Sequence, residues 1–128
     1  MIQALKIASR APDLHPFVVA AKVVREDAGE DVDAFITALL HDSIEDGYAS
    51  EREIWDNCPE RIHRAVLILS RRLDETYSEY IYRIQESNDP LAIAVKRADA
   101  EVNLDRCLAD ADAGRAQRYA FVLETLHA

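Results

Sequence analysis

Apolar residues recur three and four positions apart along almost the whole chain, a spacing that leaves room for little besides α-helix. Leu91, Val95, Ala98 and Val102 trace one such stripe. Ile62, Val66 and Leu69 trace another, and Tyr77, Tyr80, Ile81 and Ile84 a third. Only three glycines occur in 128 residues, which disfavours an architecture of many short strands and tight turns. The expected fold class is all-α, a compact bundle of about seven or eight helices in a single domain spanning residues 1–128.

Punctuation residues place the helices. A short helix is expected over about residues 2–9. Pro12 and Pro16 mark a break and then the first turn of a second helix running to about Glu26, closed by Ala28-Gly29. Because His15 precedes a proline, it is expected outside helical geometry, at the mouth of that helix. Asp31 or Asp33 can cap a third helix carrying Phe35, Ile36, Leu39, Leu40 and Ile44, with Gly47 in the left-handed position past its end. Ser50 and Glu53 have the spacing of a capping box for a short helix through Trp55. Pro59 opens the next helix, Asp74 or Thr76 the one after, and Asp89-Pro90 a long one reaching about Cys107. Gly114 separates the last helix.

The charge balance narrows the function. A formal net charge of -9 argues against a nucleic-acid polymer as partner, which calls for a basic surface. It also sets a condition on any phosphorylated substrate: a metal ion or local Arg and Lys must offset the repulsion. Cys58 and Cys107 lie far apart, so neither a disulfide framework nor a thiol redox pair is expected. The N-terminus lacks the pattern of a secretory signal, and no apolar run approaches the roughly 20 residues that cross a bilayer. The expected location is cytoplasmic, away from membranes. Amphipathic terminal helices leave a homodimer open.

The chemistry concentrates in Ala38-Leu-Leu-His-Asp-Ser-Ile-Glu-Asp-Gly47. Asp42, Glu45 and Asp46 are three and four apart, on one side of a helix and at its C-terminal end, where the helix dipole disfavours negative charge. A divalent cation would relieve both penalties. Asp99 is a second anomaly, set at the edge of the Leu91–Val102 stripe, where a carboxylate is costly unless paired or metal-bound. Arg97 or Arg106 are its alternative partners. His15 is the third. Together His15, His41, Asp42 and Asp99 offer two nitrogens and two carboxylates, a donor set for Mn, Fe, Mg or Zn at an open, water-bearing site. Lys96, one turn before Asp99, is a candidate substrate contact. Arg71 and Arg72 either reach a phosphate or satisfy helix carbonyls and Asp74. Tyr77 and Tyr80 either stack on a base or belong to the core. His63, flanked by Arg61 and Arg64, is expected to be exposed.

These motifs resemble the HD-domain superfamily of metal-dependent phosphohydrolases, and most closely the RelA/SpoT-type (p)ppGpp hydrolase domain in its small stand-alone form. The resemblance lies in His15-Pro16, in Leu39-Leu40-His41-Asp42-Ser-Ile-Glu45-Asp46, and in Lys96-Arg-Ala-Asp99-Ala-Glu-Val-Asn103, in that order. It spans residues 15 to about 106. It implies His15, His41, Asp42 and Asp99 as ligands of one metal, most often Mn2+, with Glu45 and Asp46 handling the attacking water as catalytic residues. It implies Asn103 as a contact to the nucleotide; Lys96, Arg10 and Arg71 are the basic candidates for substrate contact read beside it. The implied reaction removes the 3′-pyrophosphate of guanosine alarmones. Two departures make the pocket less basic than the family's: Arg10 is the sole base in the segment before His15, and Ala100 follows Asp99 where Arg or Lys is more usual. Two alternatives stay open, a nucleotide or deoxynucleotide phosphohydrolase of other specificity and a nucleotide-binding module with little turnover.

Overall fold

The computed structural model describes residues 1–26 and 32–127. Among these residues are eight helices and no strands: α1 (Ile2–Ala8), α2 (His15–Glu26), α3 (Val32–Leu40), α4 (Glu51–Asn57), α5 (Glu60–Leu69), α6 (Tyr77–Ser87), α7 (Pro90–Ala109) and α8 (Ala113–Thr125). The all-helical expectation holds, and no described helix is long and apolar enough to cross a membrane. The long helix α7 is the spine, packed on α8, α2, α3, α5 and α6. Leu91, Val95, Ala98 and Val102 are all buried along it, as their spacing requires. The remainder of the core is mostly aliphatic, with Leu39, Leu40, Ile54, Ile62, Ile81, Ile84 and Leu126 wholly buried.

The helix starts follow side-chain chemistry. Asp89 caps α7 by accepting from the amides of Leu91 and Ala92, with Pro90 as first helical residue. Thr76, and not Asp74, caps α6, in a full capping box with Glu79. Only half of the box at α4 forms: Ser50 accepts from the Glu53 amide, but the Glu53 carboxylate turns to Arg10. Asp33 lies inside α3 and accepts from Arg61, so it is not the cap. Asp31 and the Ala28-Gly29 stop fall outside the described residues.

The helix stops hold the larger corrections. α3 ends at Leu40, and His41–Gly47 runs on as successive turns. The reason is competition for carbonyls: His41 Nδ1 takes the Ala38 carbonyl at 2.6 Å, and the Ser43 hydroxyl takes that of Leu40 at 2.7 Å. The segment still closes as expected. Gly47 has φ of 78°, its amide donates to the Ile44 carbonyl, and the Tyr48 amide donates to that of Ser43. The same pair of bonds ends α7, from Ala111 to Leu108 and from Asp112 to Cys107, although the left-handed residue there is Ala111, at φ of 55°. Gly114 is thus not the separator; it sits in the first turn of α8, behind the cap Asp112.

Candidate metal centre

Three mutually packed helices bring the distant motifs together. His15 is the first residue of α2, not outside it, and its amide donates to Asp13 Oδ1. His41 and Asp42 follow the end of α3, and Asp99 sits midway along α7. His15, His41 and Asp42 each present a ligand atom within 4.8 Å of the others, a group that could hold a metal ion. Asp99 Oδ1 lies among them, 2.7 Å from His15 Nε2 and 3.5 Å from His41 Nε2.

One atom tests whether the group fits a cation. His41 is 1% exposed, and its Nδ1 is engaged with the Ala38 carbonyl. That bond turns Nε2 toward Asp42 Oδ2, at 3.1 Å, and toward Asp99. Neither contact has hydrogen-bond geometry, so a buried ring nitrogen is left without a hydrogen-bond partner. A carbonyl that fixes the far nitrogen of a histidine, with the near one unspent, is how metal-ligating imidazoles are held. The neighbouring Nε2–Oδ spacings of 2.7 and 3.1 Å also resemble the roughly 3 Å between adjacent ligands on an ion with bonds of about 2.1 Å.

Without a cation the cluster balances its charge by protons. Burial opposes charge on His41, but the neighbouring Asp42 and Asp99 carboxylates outweigh it and raise its pKa to about 10. Burial pushes Asp99 up, yet Lys96 and then the two imidazoles hold it well below the carboxylate range. Lys96 Nζ is 2.9 Å from Asp99 Oδ2, buried beside the rings of Tyr77 and Tyr80. Burial disfavours its charge and Asp99 more than offsets this, so the ammonium persists. The partner of Asp99 is thus Lys96, and neither Arg97 nor Arg106; Arg97 donates instead to the Leu123 and Leu126 carbonyls.

The cluster opens into a cleft of about 300 Å³. His15, Asp42, Asp46 and Asp99 line one part of it, and Lys96, Asn103 and Tyr77 another. Asn103 donates to Asp99 Oδ1 at 3.2 Å. Burial and then the charges of Asp42 and Glu45 raise the pKa of Asp46. Glu45 is placed elsewhere: its carboxylate accepts from the Arg71 amide at 2.7 Å, and it does not line the cleft. The broken helix explains the separation, since only the bond from the Asp46 amide to the Asp42 carbonyl keeps a helical relation between the acids.

Two expected substrate contacts are not brought to the cleft. Arg10 is held by both oxygens of Glu53, at 2.7 and 2.9 Å, and by the Tyr48 carbonyl. Arg71 stands with its guanidinium 6.0 Å from the Tyr77 ring centre. Tyr77 lines the cleft with its hydroxyl unpartnered, whereas Tyr80 is core and donates to the Leu69 carbonyl. Tyr48, Tyr119 and Arg106 line the cleft without having been picked out from the sequence as site residues. Arg106 had a signal: it falls seven after Asp99 and three after Asn103, on the same helix face. Away from the cleft, His63 is not exposed; it is buried edge-on to Trp55, with ring centres 4.6 Å apart.

The chain matches no protein-family model, and a search of curated proteins finds no relative.

Proposed function

We propose that this chain is a metal-dependent phosphohydrolase acting on a nucleotide, with the 3′-pyrophosphate of a guanosine alarmone as the leading substrate. The observation that carries the reading is the convergence of His15, His41, Asp42 and Asp99, with the buried His41 Nε2 unspent among carboxylate oxygens. These four residues would hold the ion, the fourth being Asp99, whose second oxygen Lys96 fixes. When bound, a divalent ion, Mn2+ foremost, offsets phosphate charge and lowers the pKa of water to near neutrality.

The chain's own groups divide the remaining work. Asp46, in the cleft and with a raised pKa, is placed to accept a proton from the attacking water. The water oxygen adds to phosphorus as Asp46 takes its proton, the bond from phosphorus to the nucleoside 3′-oxygen breaks, and that proton passes to the 3′-oxygen, so the products are the nucleoside 3′-hydroxyl and pyrophosphate. Asn103 and Tyr77 present polar groups to the nucleotide from α7 and α6. Glu45 accepts from the Arg71 amide outside the cleft lining, and its charge helps to raise the pKa of Asp46. A nucleotide phosphohydrolase of other specificity is the second reading. It is favoured by one observation: Arg10, the sole base in the Ser9–Leu14 segment before His15, is spent on Glu53.

The test is to incubate the purified chain with Mn2+ and a panel of ppGpp, GTP, deoxynucleoside triphosphates and deoxynucleoside monophosphates. Pyrophosphate released from ppGpp alone supports the alarmone, and release from other nucleotides supports the second reading. His41→Ala and Asp42→Ala should each lose bound Mn2+ and turnover. Either variant keeping both would overturn the assignment.

A further inference from the structure

We infer that α7, on the side turned away from the metal cleft, carries a binding site for a small carboxylate with an apolar body, anchored by Arg97. The site is a separate cavity of about 330 Å³ between α6, α7 and the chain that follows α8. It shares no lining residue with the metal cleft, so it stands apart from the proposed reaction.

The spacing of the chain builds the walls. Pro90, Ala94 and Arg97 follow at intervals of four and three along α7, with Ile93 beside them, so one face of the helix lines the cavity. Arg97 and Asp99 are two apart, roughly 200° around the helix axis, which separates this face from the metal ligand. The opposite wall is Gln85 of α6 and His127, which hold each other: Gln85 Oε1 accepts from the His127 amide at 2.8 Å. Pro90, Ile93 and Ala94 supply apolar surface, and the volume is of the size that takes a small organic molecule.

The guanidinium sets the ligand's charge. Arg97 is half-buried, and its Nη1 donates to the Leu123 carbonyl at 3.1 Å and to the Leu126 carbonyl, at the end of α8. No carboxylate pairs with it among the described residues, and its Nε and Nη2 find no acceptor there. Neither of those nitrogens is sealed from the surface. Arg83 shows the same role completed: it caps two carbonyls at the end of α5 and also binds Glu75 through Nε and Nη2. Arg97 has the carbonyls and lacks the acid. Capping accounts for Nη1 and leaves the apolar cavity beside the guanidinium unexplained. A planar carboxylate on the Nε–Nη2 edge would make two parallel hydrogen bonds, as Glu75 does with Arg83. The lining holds no Lys and no other Arg, so a singly charged acid suits it better than a phosphate.

The test is an amide NMR titration of the full, metal-free chain with benzoate, and with benzamide as an uncharged probe of the same shape. Benzoate should shift the amides of Ala94, Arg97 and His127 in a saturable way, and benzamide should bind roughly tenfold more weakly. Arg97→Gln should weaken benzoate roughly tenfold and bring it level with benzamide. Because Arg97 also caps α8, Ala94→Leu supplies a second arm. It fills the cavity from an exposed position, spares the guanidinium, and should abolish benzoate binding in a folded chain. His41→Ala should bind benzoate as wild type does, so failure of the metal reading and failure of this one are distinguishable. No saturable shift in wild type overturns the site. So does equal binding of benzoate and benzamide, undiminished binding in Ala94→Leu, or shifts that centre on the metal cleft.

Discussion

Two ion pairs in this molecule are built on opposite plans. Arg83 and Glu75 make a closed pair: Nε donates to one carboxylate oxygen at 2.7 Å and Nη2 to the other at 3.0 Å. The remaining guanidinium donors cap the Ile68 and Ser70 carbonyls at the end of α5. Lys96 and Asp99 make an open pair. Asp99 gives one oxygen to Lys96, and its other faces two imidazoles and Asn103. Beside it stand Asp42, and His41 with a buried nitrogen unspent. A pair that exists for stability satisfies its own polar atoms. A pair that leaves demands open into a cleft is prepared for a ligand.

Removing one member of each pair should give the largest effects. Lys96→Met leaves Asp99 buried beside Asp42 without its ammonium and should cost about 3–5 kcal/mol in the metal-free protein. Urea unfolding measures this, and added Mn2+ should recover part of the loss because the ion replaces the missing charge. Arg83→Met should cost less, about 2–3 kcal/mol, from an unpaired Glu75 and two carbonyls stripped of donors. Mn2+ should recover none of it. Equal recovery in both variants would erase the distinction between the pairs.

Helices and their starts were legible in the sequence because caps and apolar spacing act over a few residues. Asp89-Pro90 opens α7 as the sequence suggests, and Thr76, one of the two starts it offers, opens α6. Stops were less legible. α3 ends at Leu40 because His41 and Ser43 side chains take backbone carbonyls, a competition that depends on three-dimensional placement. That break splits Asp46, which enters the cleft, from Glu45, which does not. The four candidate ligands were legible as residue types at separate points in the chain, and the packing of α2, α3 and α7 gathers His15, His41 and Asp42, with Asp99 beside both imidazoles. Arg10 was misplaced because nothing local links it to Glu53, 43 residues away. His63 misled for the opposite reason: Arg61 and Arg64 flank it in sequence, yet it faces inward against Trp55.

Acid distinguishes the closed pair more gently. The Arg83 hydrogen bonds hold the Glu75 carboxyl below its usual range, against a smaller opposing effect of burial. A depressed folded pKa gives stability that is present above the unfolded value of about 4.3 and fades as pH falls through the folded value. Wild type should therefore lose stability relative to Glu75→Gln as pH falls below about 4.3 toward the depressed folded value. The two urea midpoints should converge at the acid end. A constant gap across that range would mean that the carboxylate charge contributes nothing.

The smallest stability change should come from deleting the open pair altogether. In Lys96→Met/Asp99→Leu both charges leave together, and apolar side chains fill a space already bounded by Tyr80 and buried aliphatics. Replacing a buried ion pair by apolar groups is often close to neutral, so unfolding should fall within about 1 kcal/mol of wild type. The matching deletion Arg83→Met/Glu75→Leu should still cost about 1–2 kcal/mol, because the Ile68 and Ser70 carbonyls remain without donors. Mn2+ titration then completes the contrast. The Lys96/Asp99 double variant should fold normally and bind the ion far more weakly, and the Arg83/Glu75 double variant should bind it as wild type does. Undiminished Mn2+ binding in the first variant would remove Asp99 from the ligand set. It would leave Lys96 and Asp99 as a structural pair like the other.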